Sequence, residues 1–245
     1  MQNNRIENPP RVLTWNVQCK KPASPKGAAA VAYIVSEWPD IAVLTEAWIG
    51  HLGDGGHEIV SQPTPSAGKK PDERKVVMWS KTPWSDVDDL GHQGMPVGRF
   101  VAGTTETAIG PVRVMGICIP WPMANVNNGP KNAKPWELAM RWLDCFAELV
   151  ANRDRDMLLV VAGDFNQRVP RRKGGNKAAA AKLEAALGDL TVVTAGTPAR
   201  LQRPGIDHIA MCPRLAATRV WGWPKDDGGI KMSDHSGVAA ELATW

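Results

Sequence analysis

The sequence lacks the features that mark membrane-spanning, secreted and zinc-binding proteins. No apolar run approaches the roughly 20 residues that cross a bilayer, and residues 1–10 are polar, with no hydrophobic segment of the signal-peptide type. The four cysteines are far apart and form no Cys-x-x-Cys pair, which predicts reduced thiols rather than disulfides or a zinc site. We therefore expect a cytoplasmic protein that does not bind membranes.

Aromatic residues other than tryptophan are scarce. One tyrosine and three phenylalanines stand beside 11 tryptophans among 245 residues, whereas hydrophobic (43%) and charged (22%) residues are close to ordinary globular usage. A chain of this length buries roughly 70–75% of its unfolded surface, so its core needs neither disulfides nor a structural metal. This composition excludes disordered, collagen-like and coiled-coil proteins. We expect one monomeric domain over residues 11–245, preceded by a flexible segment of residues 1–10.

Basic residues are in small excess, 29 against 25 acidic residues, for a net charge of +4. The excess is local, because residues 168–177 contain no acid and the basic residues Arg168, Arg171, Arg172, Lys173 and Lys177. This loop predicts salt-dependent binding of a polyanion, and the alternative is a solvated loop that serves solubility. Trp121 and Trp223 lie in proline-containing segments and are candidates for stacking on a base or sugar, with core packing as the alternative.

Apolar runs rich in β-branched residues recur along the chain and predict strands. The predicted strands are residues 11–17, 41–45, 75–80, 110–119, 157–162, 206–211 and 236–242. Helical periodicity predicts helices over residues 26–38, 135–152 and 177–187. Strands mixed with helices predict a layered α/β fold. The irregular stretches 50–72 and 120–134 are expected to be surface loops near a functional site.

Polar residues lie at or beside the ends of these predicted strands. They are Asn16, Glu46, Asp164, Asn166, Asp207, Asp234 and His235. A charged group within a core strand is costly unless it is paired or metal-bound, and strand-end side chains can meet at one rim of a sheet. We therefore expect these groups to converge. Glu46 and Asp234 could hold a divalent cation, and oxygen ligands favour Mg²⁺ or Mn²⁺ over zinc.

The remaining polar groups suit the hydrolysis of a phosphoester. His235 paired with Asp207 would form a base that the carboxylate holds in one tautomer. Asp164 could orient the nucleophilic water or protonate the leaving oxygen. Asn16 and Asn166 could donate hydrogen bonds to a phosphoryl oxygen.

These residues lie in motifs that resemble those of the endonuclease/exonuclease/phosphatase superfamily, which includes pancreatic deoxyribonuclease, exonuclease III, AP endonucleases, inositol polyphosphate 5-phosphatases and neutral sphingomyelinases. The motifs are Asn16 after a strand, Leu44-Thr45-Glu46, Gly163-Asp164-Phe165-Asn166, Ile206-Asp207-His208-Ile209 and Ser233-Asp234-His235. Each motif alone is weak. The five occur in the family's order between residues 11 and 243, and this ordered set carries the resemblance.

The resemblance implies a four-layered α/β sandwich of the pancreatic-deoxyribonuclease type, with two central, mostly antiparallel sheets flanked by helices and a Mg²⁺ site at one edge. By position it implies the following roles: Glu46 as principal metal ligand with Asn16 and Asp234 near the metal, His235 and Asp207 as catalytic dyad, and Asp164 and Asn166 at the water and phosphate. Whether Asp164 or His235 is the base stays open.

The chain departs from the family in its middle. AP endonucleases and exonuclease III carry a Tyr-x-Pro-Asn motif after the mid-chain strand, and other branches carry a His there that helps bind phosphate. Here Cys118 and Trp121 stand where the Tyr and the Asn would fall. This departure argues against the AP-endonuclease activity.

The sequence therefore predicts a Mg²⁺-dependent phosphodiesterase, with Mn²⁺ as a substitute, that acts as a nuclease and hydrolyses DNA by in-line attack of water on phosphorus. One alternative is a phosphatase or a sphingomyelinase-type phosphodiesterase of the same fold that acts on a small or lipidic phosphoester. A second alternative is a binding module that keeps the fold without catalysis. Exonuclease against endonuclease action is not predicted.

Overall fold

A computed structural model describes residues 8–64, 70–127 and 129–245, and within them the chain forms 14 strands and three helices. The strands are β1 (Arg11–Asn16), β2 (Ile41–Trp48), β3 (His57–Val60), β4 (Glu73–Ser80), β5 (Trp84–Asp88), β6 (Phe100–Thr107), β7 (Gly110–Cys118), β8 (Leu158–Asp164), β9 (Thr191–Val192), β10 (Asp207–Met211), β11 (Leu215–Trp223), β12 (Asp226–Asp227), β13 (Ile230–Lys231) and β14 (Gly237–Thr244). The helices are α1 (Pro25–Ser36), α2 (Glu137–Ala151) and α3 (Lys177–Leu187). Most of the predicted flexible segment, residues 1–7, lies outside the described residues.

The long strands form two six-stranded sheets. The first sheet has the order β11-β14-β1-β2-β4-β3 and the second the order β5-β6-β7-β8-β10-β9, while β12 and β13 form a separate pair. Neighbouring strands are antiparallel except for the parallel pairs β1–β2 and β7–β8. The prediction of two mostly antiparallel central sheets is therefore confirmed.

The alternation of side chains along β1 shows how the layers pack. Val12 belongs to the core between the two sheets, whereas Leu13 and Trp15 pack with Ile34 of α1 on the outer face of the first sheet. On the far side, α2 and α3 bury Trp142 and Leu183 among others in the core that includes the second sheet. The predicted four-layered order of helix, sheet, sheet and helices is confirmed.

Helix α1 begins and ends at identifiable local signals. The Ser24 hydroxyl accepts a hydrogen bond from the Gly27 backbone N–H at 3.1 Å. Pro25 occupies the first turn, where a backbone N–H would have no partner within the helix, so the missing N–H of proline costs nothing. The helix ends at Ser36, before the predicted end at Trp38. Trp38 has a φ of 49° and precedes a proline, a position that disfavours helix, and its side chain is 72% exposed.

Several strands were not predicted from the sequence, and their positions explain why. β3, β5 and β11 are edge strands of the two sheets, so part of each strand is exposed and its apolar pattern is weak. β3 lies inside the stretch predicted as a loop, residues 50–72. β6 is buried along most of its length but contains threonines in place of aliphatic residues. Among the described residues, no helix has the length and apolarity to span a membrane.

Candidate active site

Asn16, the last residue of β1, joins the two sheets at one edge. Its backbone N–H donates to Asp207 Oδ2 at 2.9 Å, and its side-chain Nδ2 donates to Asp164 Oδ2 at 3.0 Å. Asp164 ends β8 and Asp207 begins β10, and the two residues are direct partners in the register of these neighbouring strands. Three residues far apart in sequence thus form one buried hydrogen-bonded group, as the motif order predicts.

His235 completes this group from the segment that leads into β14. Its Nδ1 lies 3.0 Å from Asp207 Oδ1, and the Asp207 side chain is fully buried. The Ser233 hydroxyl fixes the segment, because it donates to the Asn16 carbonyl at 2.5 Å and accepts from the His235 backbone N–H at 3.1 Å. The imidazole is therefore held with Nδ1 on Asp207 and with Nε2 turned towards Asp234, whose Oδ1 is 3.9 Å away.

Asn166 positions the Asp164 carboxylate. Its backbone N–H donates to Asp164 Oδ1 at 2.8 Å, and its Nδ2 donates both to the Ile119 carbonyl at 2.8 Å and to Asp164 Oδ2 at 3.1 Å. Asn166 has a φ of 52°, a left-handed conformation that asparagine tolerates better than most residues. Because both N–H bonds of its amide are engaged, Asn166 orients Asp164 in this arrangement and does not present a donor to phosphate, contrary to the expectation from sequence.

Gly163 makes the approach of β8 to β7 possible. A Cβ at this position would lie 1.8 Å from the Ile117 carbonyl oxygen, and the residue has a φ of 146°. No other residue type fits this backbone. The glycine of the Gly-Asp-Phe-Asn motif therefore serves the placement of Asp164.

The titrating groups of the site are driven towards different protonation states. Burial and then the Asp207 charge raise the pKa of Asp164 to about 7. Burial lowers the pKa of His235, but the Asp207 charge and hydrogen bond, with smaller contributions from Asp164 and Asp234, raise it to about 10. Burial and the neighbouring charge thus favour the neutral form of Asp164, whereas the carboxylates around His235 favour its charged form.

Glu46 occupies an unusual backbone conformation on β2. Its φ is 50°, a region that costs a non-glycine residue on the order of 1 kcal/mol or more and that is frequent at functional sites. Leu44 and Ala47 both belong to the core beneath α1, so strict alternation is interrupted between them. Glu46 Oε1 accepts a hydrogen bond from Lys75 Nζ of β4 at 2.5 Å. Thr45, the residue before Glu46, is the register partner of Asn16.

A cationic cluster beside Glu46 was not predicted from the sequence. Lys75 is largely buried, and the Arg99 guanidinium donates to the Cys118 carbonyl at 3.2 Å from its Nη1. Cys118 is the register partner of Asp164, and burial, opposed by the charges of Lys75 and Arg99, raises the pKa of its thiol to about 12. The cluster therefore offers a neutral thiol and two cations at the position where relatives carry Tyr or His. A charged residue at the head of the buried strand β4 was the signal that could have revealed Lys75.

The oxygen donors at this edge fit a divalent cation. Among the described residues, Asp164, Asp207 and His235 form a group whose ligand atoms lie within 4.8 Å of one another. Glu46 and Asp234, the predicted ligands, are not members of that group. Their carboxylates are 28% and 46% exposed, so solvent reaches them, whereas Asp207 is already bonded on both oxygens. Partly exposed carboxylates suit a hard cation that keeps some of its waters.

The predicted substrate-binding residues divide into two groups. Arg168, Arg171 and Arg172 line a cavity of about 320 Å³ beside Asn166. Lys173, further along the same loop, and Lys177, the first residue of α3, are exposed and do not line this cavity.

The two tryptophans also differ. Trp121 is 41% exposed, as stacking on a base would require. The prediction for Trp223 is wrong, because this residue is fully buried at the end of β11 and stacks on Tyr33 with ring centroids 5.5 Å apart.

A second and larger cavity, of about 660 Å³, opens beside His235. Its cationic lining residues are Arg168, Arg200, Arg203 and Lys225. Only Arg168 of these four was predicted as a substrate-binding residue. The others come from the segment before β10 and from the segment after β11, which carry no basic cluster in the sequence.

Known proteins resemble this chain in sequence and in fold. A model of the Endonuclease/Exonuclease/phosphatase family matches residues 13–235. No curated protein matches the sequence. An AP endonuclease from Archaeoglobus fulgidus superposes with a TM-score of 0.68 at 15% identity, over 96% of this chain and 100% of that one. The 3'-5' exonuclease NExo from Neisseria meningitidis gives a TM-score of 0.66 at 21% identity, over 96% and 100%. D. rerio TDP2 complexed with single strand DNA product gives 0.66 at 13% identity, over 96% and 99%. Identities at this level show a shared fold.

Proposed function

The chain belongs to the endonuclease/exonuclease/phosphatase family, and we propose that it is a divalent-metal-dependent phosphodiesterase that hydrolyses DNA. One observation carries this proposal above the others. Asn16, Asp164, Asp207 and His235 form a single hydrogen-bonded group at one edge of the two sheets, beside the partly exposed carboxylates of Glu46 and Asp234. Buried carboxylates and an imidazole with strongly shifted pKa values are the groups that acid–base catalysis requires.

The donor chemistry supports Mg²⁺, with Mn²⁺ as a substitute, as the metal. Glu46 and Asp234 would hold it with carboxylate oxygens, and the Asn16 amide oxygen, which already accepts from the Gln18 backbone N–H at 2.9 Å, lies nearby. A bound divalent cation neutralises charge on the phosphoryl oxygens and stabilises the charge that develops in the transition state.

The protein's own groups would then manage the water and the proton. Asp164 orients the attacking water and accepts its proton, because its pKa of about 7 places it near the protonation midpoint. His235, protonated and held by Asp207, donates a hydrogen bond from Nε2 to a phosphoryl or leaving oxygen. Asn166 keeps Asp164 in place. The water would attack the phosphorus in line with the leaving oxygen, the geometry usual for phosphoryl transfer.

Nucleic acid is the substrate class that the surface charge supports best. Arginines line both cavities that flank the catalytic group, and such surfaces bind phosphate backbones. Two structures of similar fold hold DNA: D. rerio TDP2 contains a single strand DNA product, and the 3' phosphatase NExo from Neisseria is bound to a product DNA hairpin. Because these proteins of similar fold bind DNA, we propose DNA rather than RNA as the substrate.

We further propose a monomeric, single-domain, cytoplasmic enzyme. The first and last strands of the described chain, β1 and β14, pair with each other, which supports one folding unit over residues 11–245. Cys118, Cys145 and Cys212 are free thiols, as expected in a reducing compartment.

An activity screen tests the proposal. Wild-type protein and Glu46→Gln would be incubated with plasmid DNA and with single-stranded, duplex, abasic and RNA oligonucleotides, in Mg²⁺, in Mn²⁺ and in EDTA, with phosphate release from inositol phosphates and hydrolysis of sphingomyelin as parallel arms. We expect metal-dependent cleavage of DNA that Glu46→Gln loses. Intact DNA in both metals would contradict the proposal, and turnover in the phosphate or lipid arms would favour the alternative substrates.

A further inference from the structure

The cavity beside His235 is large enough to hold part of a substrate. Its volume of about 660 Å³ lies in the range of roughly 300–1,000 Å³ typical of ligand sites and is about twice that of the cavity beside Asn166. Its lining includes His235 and Asp234, so a ligand in it would touch the catalytic edge directly.

Among the charged residues that line this cavity, cations outnumber carboxylates. Four basic side chains, Arg168, Arg200, Arg203 and Lys225, face two carboxylates, Asp226 and Asp234. If Asp234 helps to hold a cation, its charge is not available to the other lining residues. Arg200 forms an ion pair with Glu37, with 3.4 Å between Nη1 and Oε1. Within the described parts of the chain, Arg203 and Lys225 form no ion pair. Two unpaired cations therefore flank a cavity that opens onto the candidate active site.

Arg168 connects this cavity with the one beside Asn166. It lines both cavities, and so does Ile206, the residue before Asp207. Its Nε donates to the Pro204 carbonyl at 3.1 Å, which fixes the guanidinium on the wall between them. The two cavities are therefore neighbours on either side of Arg168 and Ile206, and both have basic lining residues.

The same cavity offers apolar surface to a base or a sugar. Leu201, Pro204, Ile206 and Pro224 line it between the cations. Alternating cationic and apolar groups match a nucleotide, which presents a charged phosphate on either side of an apolar ring face.

We propose that the cavity beside His235 is a subsite for the nucleotide next to the scissile phosphodiester, in which Arg203 and Lys225 bind the neighbouring phosphate. This inference rests on the proposed function and deepens it, because it predicts a substrate with at least two phosphates in sequence. A small phosphoester with a single phosphate leaves the subsite unused.

A charge-removal experiment tests the subsite. The double variant Arg203→Ala/Lys225→Ala removes two exposed cations without an ion-pair partner, so it is expected to fold, which thermal melting checks. Arg141→Ala is the matched control, since it removes an exposed cation from α2 that lines neither cavity. Binding of a fluorescein-labelled single-stranded oligonucleotide is measured by anisotropy in EDTA at several salt concentrations. This readout needs no turnover.

We expect the double variant to bind about ten-fold more weakly and the slope of log affinity against log salt to fall by about 1, because one phosphate contact is lost. A binding curve and slope equal to those of the wild type, or an equal loss in Arg141→Ala, would overturn the subsite.

A second measurement ties the effect to the neighbouring phosphate. The kcat/KM is compared for the dinucleotide TpT and for its forms with an additional 5'- or 3'-phosphate. Wild type and Arg141→Ala are expected to prefer at least one phosphorylated form about ten-fold, and the double variant is expected to lose most of that preference. A preference kept by the double variant overturns the inference. No turnover of any substrate would contradict the proposed function, and the binding data would still decide the subsite.

Discussion

Replacing Asp207 with Asn tests how the catalytic group holds its proton. Asp207 is buried, accepts from His235 Nδ1 on one oxygen and from the Asn16 backbone N–H on the other, and is the main group that raises the pKa of His235. An asparagine there can still accept from Asn16, but its NH₂ then faces the imidazole. We expect the ring to lose its charge at a lower pH than in the wild type and, once neutral, to carry its remaining proton on Nε2 with Nδ1 as acceptor.

The magnitude follows from the geometry. An opposite charge at this distance shifts a pKa by roughly 1–3 units, and each unit corresponds to about 1.4 kcal/mol. The pKa of His235, about 10 in the wild type, is therefore expected to fall by roughly 1–3 units, a loss of about 1.4–4 kcal/mol in stabilisation of the imidazolium. Because acid–base groups contribute roughly 10²–10⁴-fold to rates, we expect kcat to fall by about this factor.

Two assays check this prediction. The titration of the imidazole signals by NMR reports the pKa of His235 in both proteins. The pH dependence of kcat reports the consequence for catalysis. Asp144→Asn, which removes an exposed carboxylate on α2 that pairs with Lys182, is the control and is expected to leave both unchanged. An unaltered His235 titration in Asp207→Asn would refute the reasoning.

Three further predictions concern stability and metal binding. The pKa of Asp164 is raised to about 7 in the folded protein, so folding favours its protonated form. The protonated Asp164 therefore contributes its full stabilisation below the pKa of the unfolded chain, about 4, and this stabilisation is lost as the pH rises through 7. The free energy of unfolding, measured by urea denaturation, should fall by on the order of 4 kcal/mol over this pH range in the wild type but not in Asp164→Asn. Equal pH dependence of the free energy of unfolding in the two proteins would contradict this prediction. Lys75→Met should weaken Mn²⁺ binding by about 10–100-fold in calorimetric titration, because Lys75 orients the Glu46 carboxylate. Tighter Mn²⁺ binding by this variant would contradict the prediction and would show that Lys75 competes with the metal for Glu46. Gly163→Ala should lower the free energy of unfolding by several kcal/mol or prevent folding. Gly55→Ala, the control, has open space around the new Cβ and should be nearly neutral. Equal melting temperatures of the two variants would contradict this prediction.

The strand-end residues could be predicted from the sequence because their signal is local. Asn16 and Asp164 each terminate a buried apolar run, and a polar residue in that position is unusual without a chemical reason. The resemblance then implied a pairing of His235 with Asp207, and the structure places His235 Nδ1 3.0 Å from Asp207 Oδ1. The bond from the Asn16 backbone N–H to Asp207 was not predicted.

The cations of the site could not be predicted because their roles depend on non-local pairing. Lys75 contacts Glu46 only because β4 lies beside β2, and Arg203 faces the catalytic edge only because the segment before β10 folds towards the one after β11. Trp223 was misassigned for a related reason. Its segment is rich in Gly and Pro and suggests a loop, but it ends an edge strand whose final residues are buried beneath α1.

The placement of the metal tests the central claim most directly. Crystals of the protein soaked in Mn²⁺ and measured at the manganese absorption edge would locate any bound ion independently of its chemistry. We expect a strong anomalous peak at about 2.0–2.3 Å from carboxylate oxygens of Glu46 and Asp234, on the solvent side of the Asp164–Asp207–His235 group. A peak elsewhere, or no peak at saturating Mn²⁺, would contradict it.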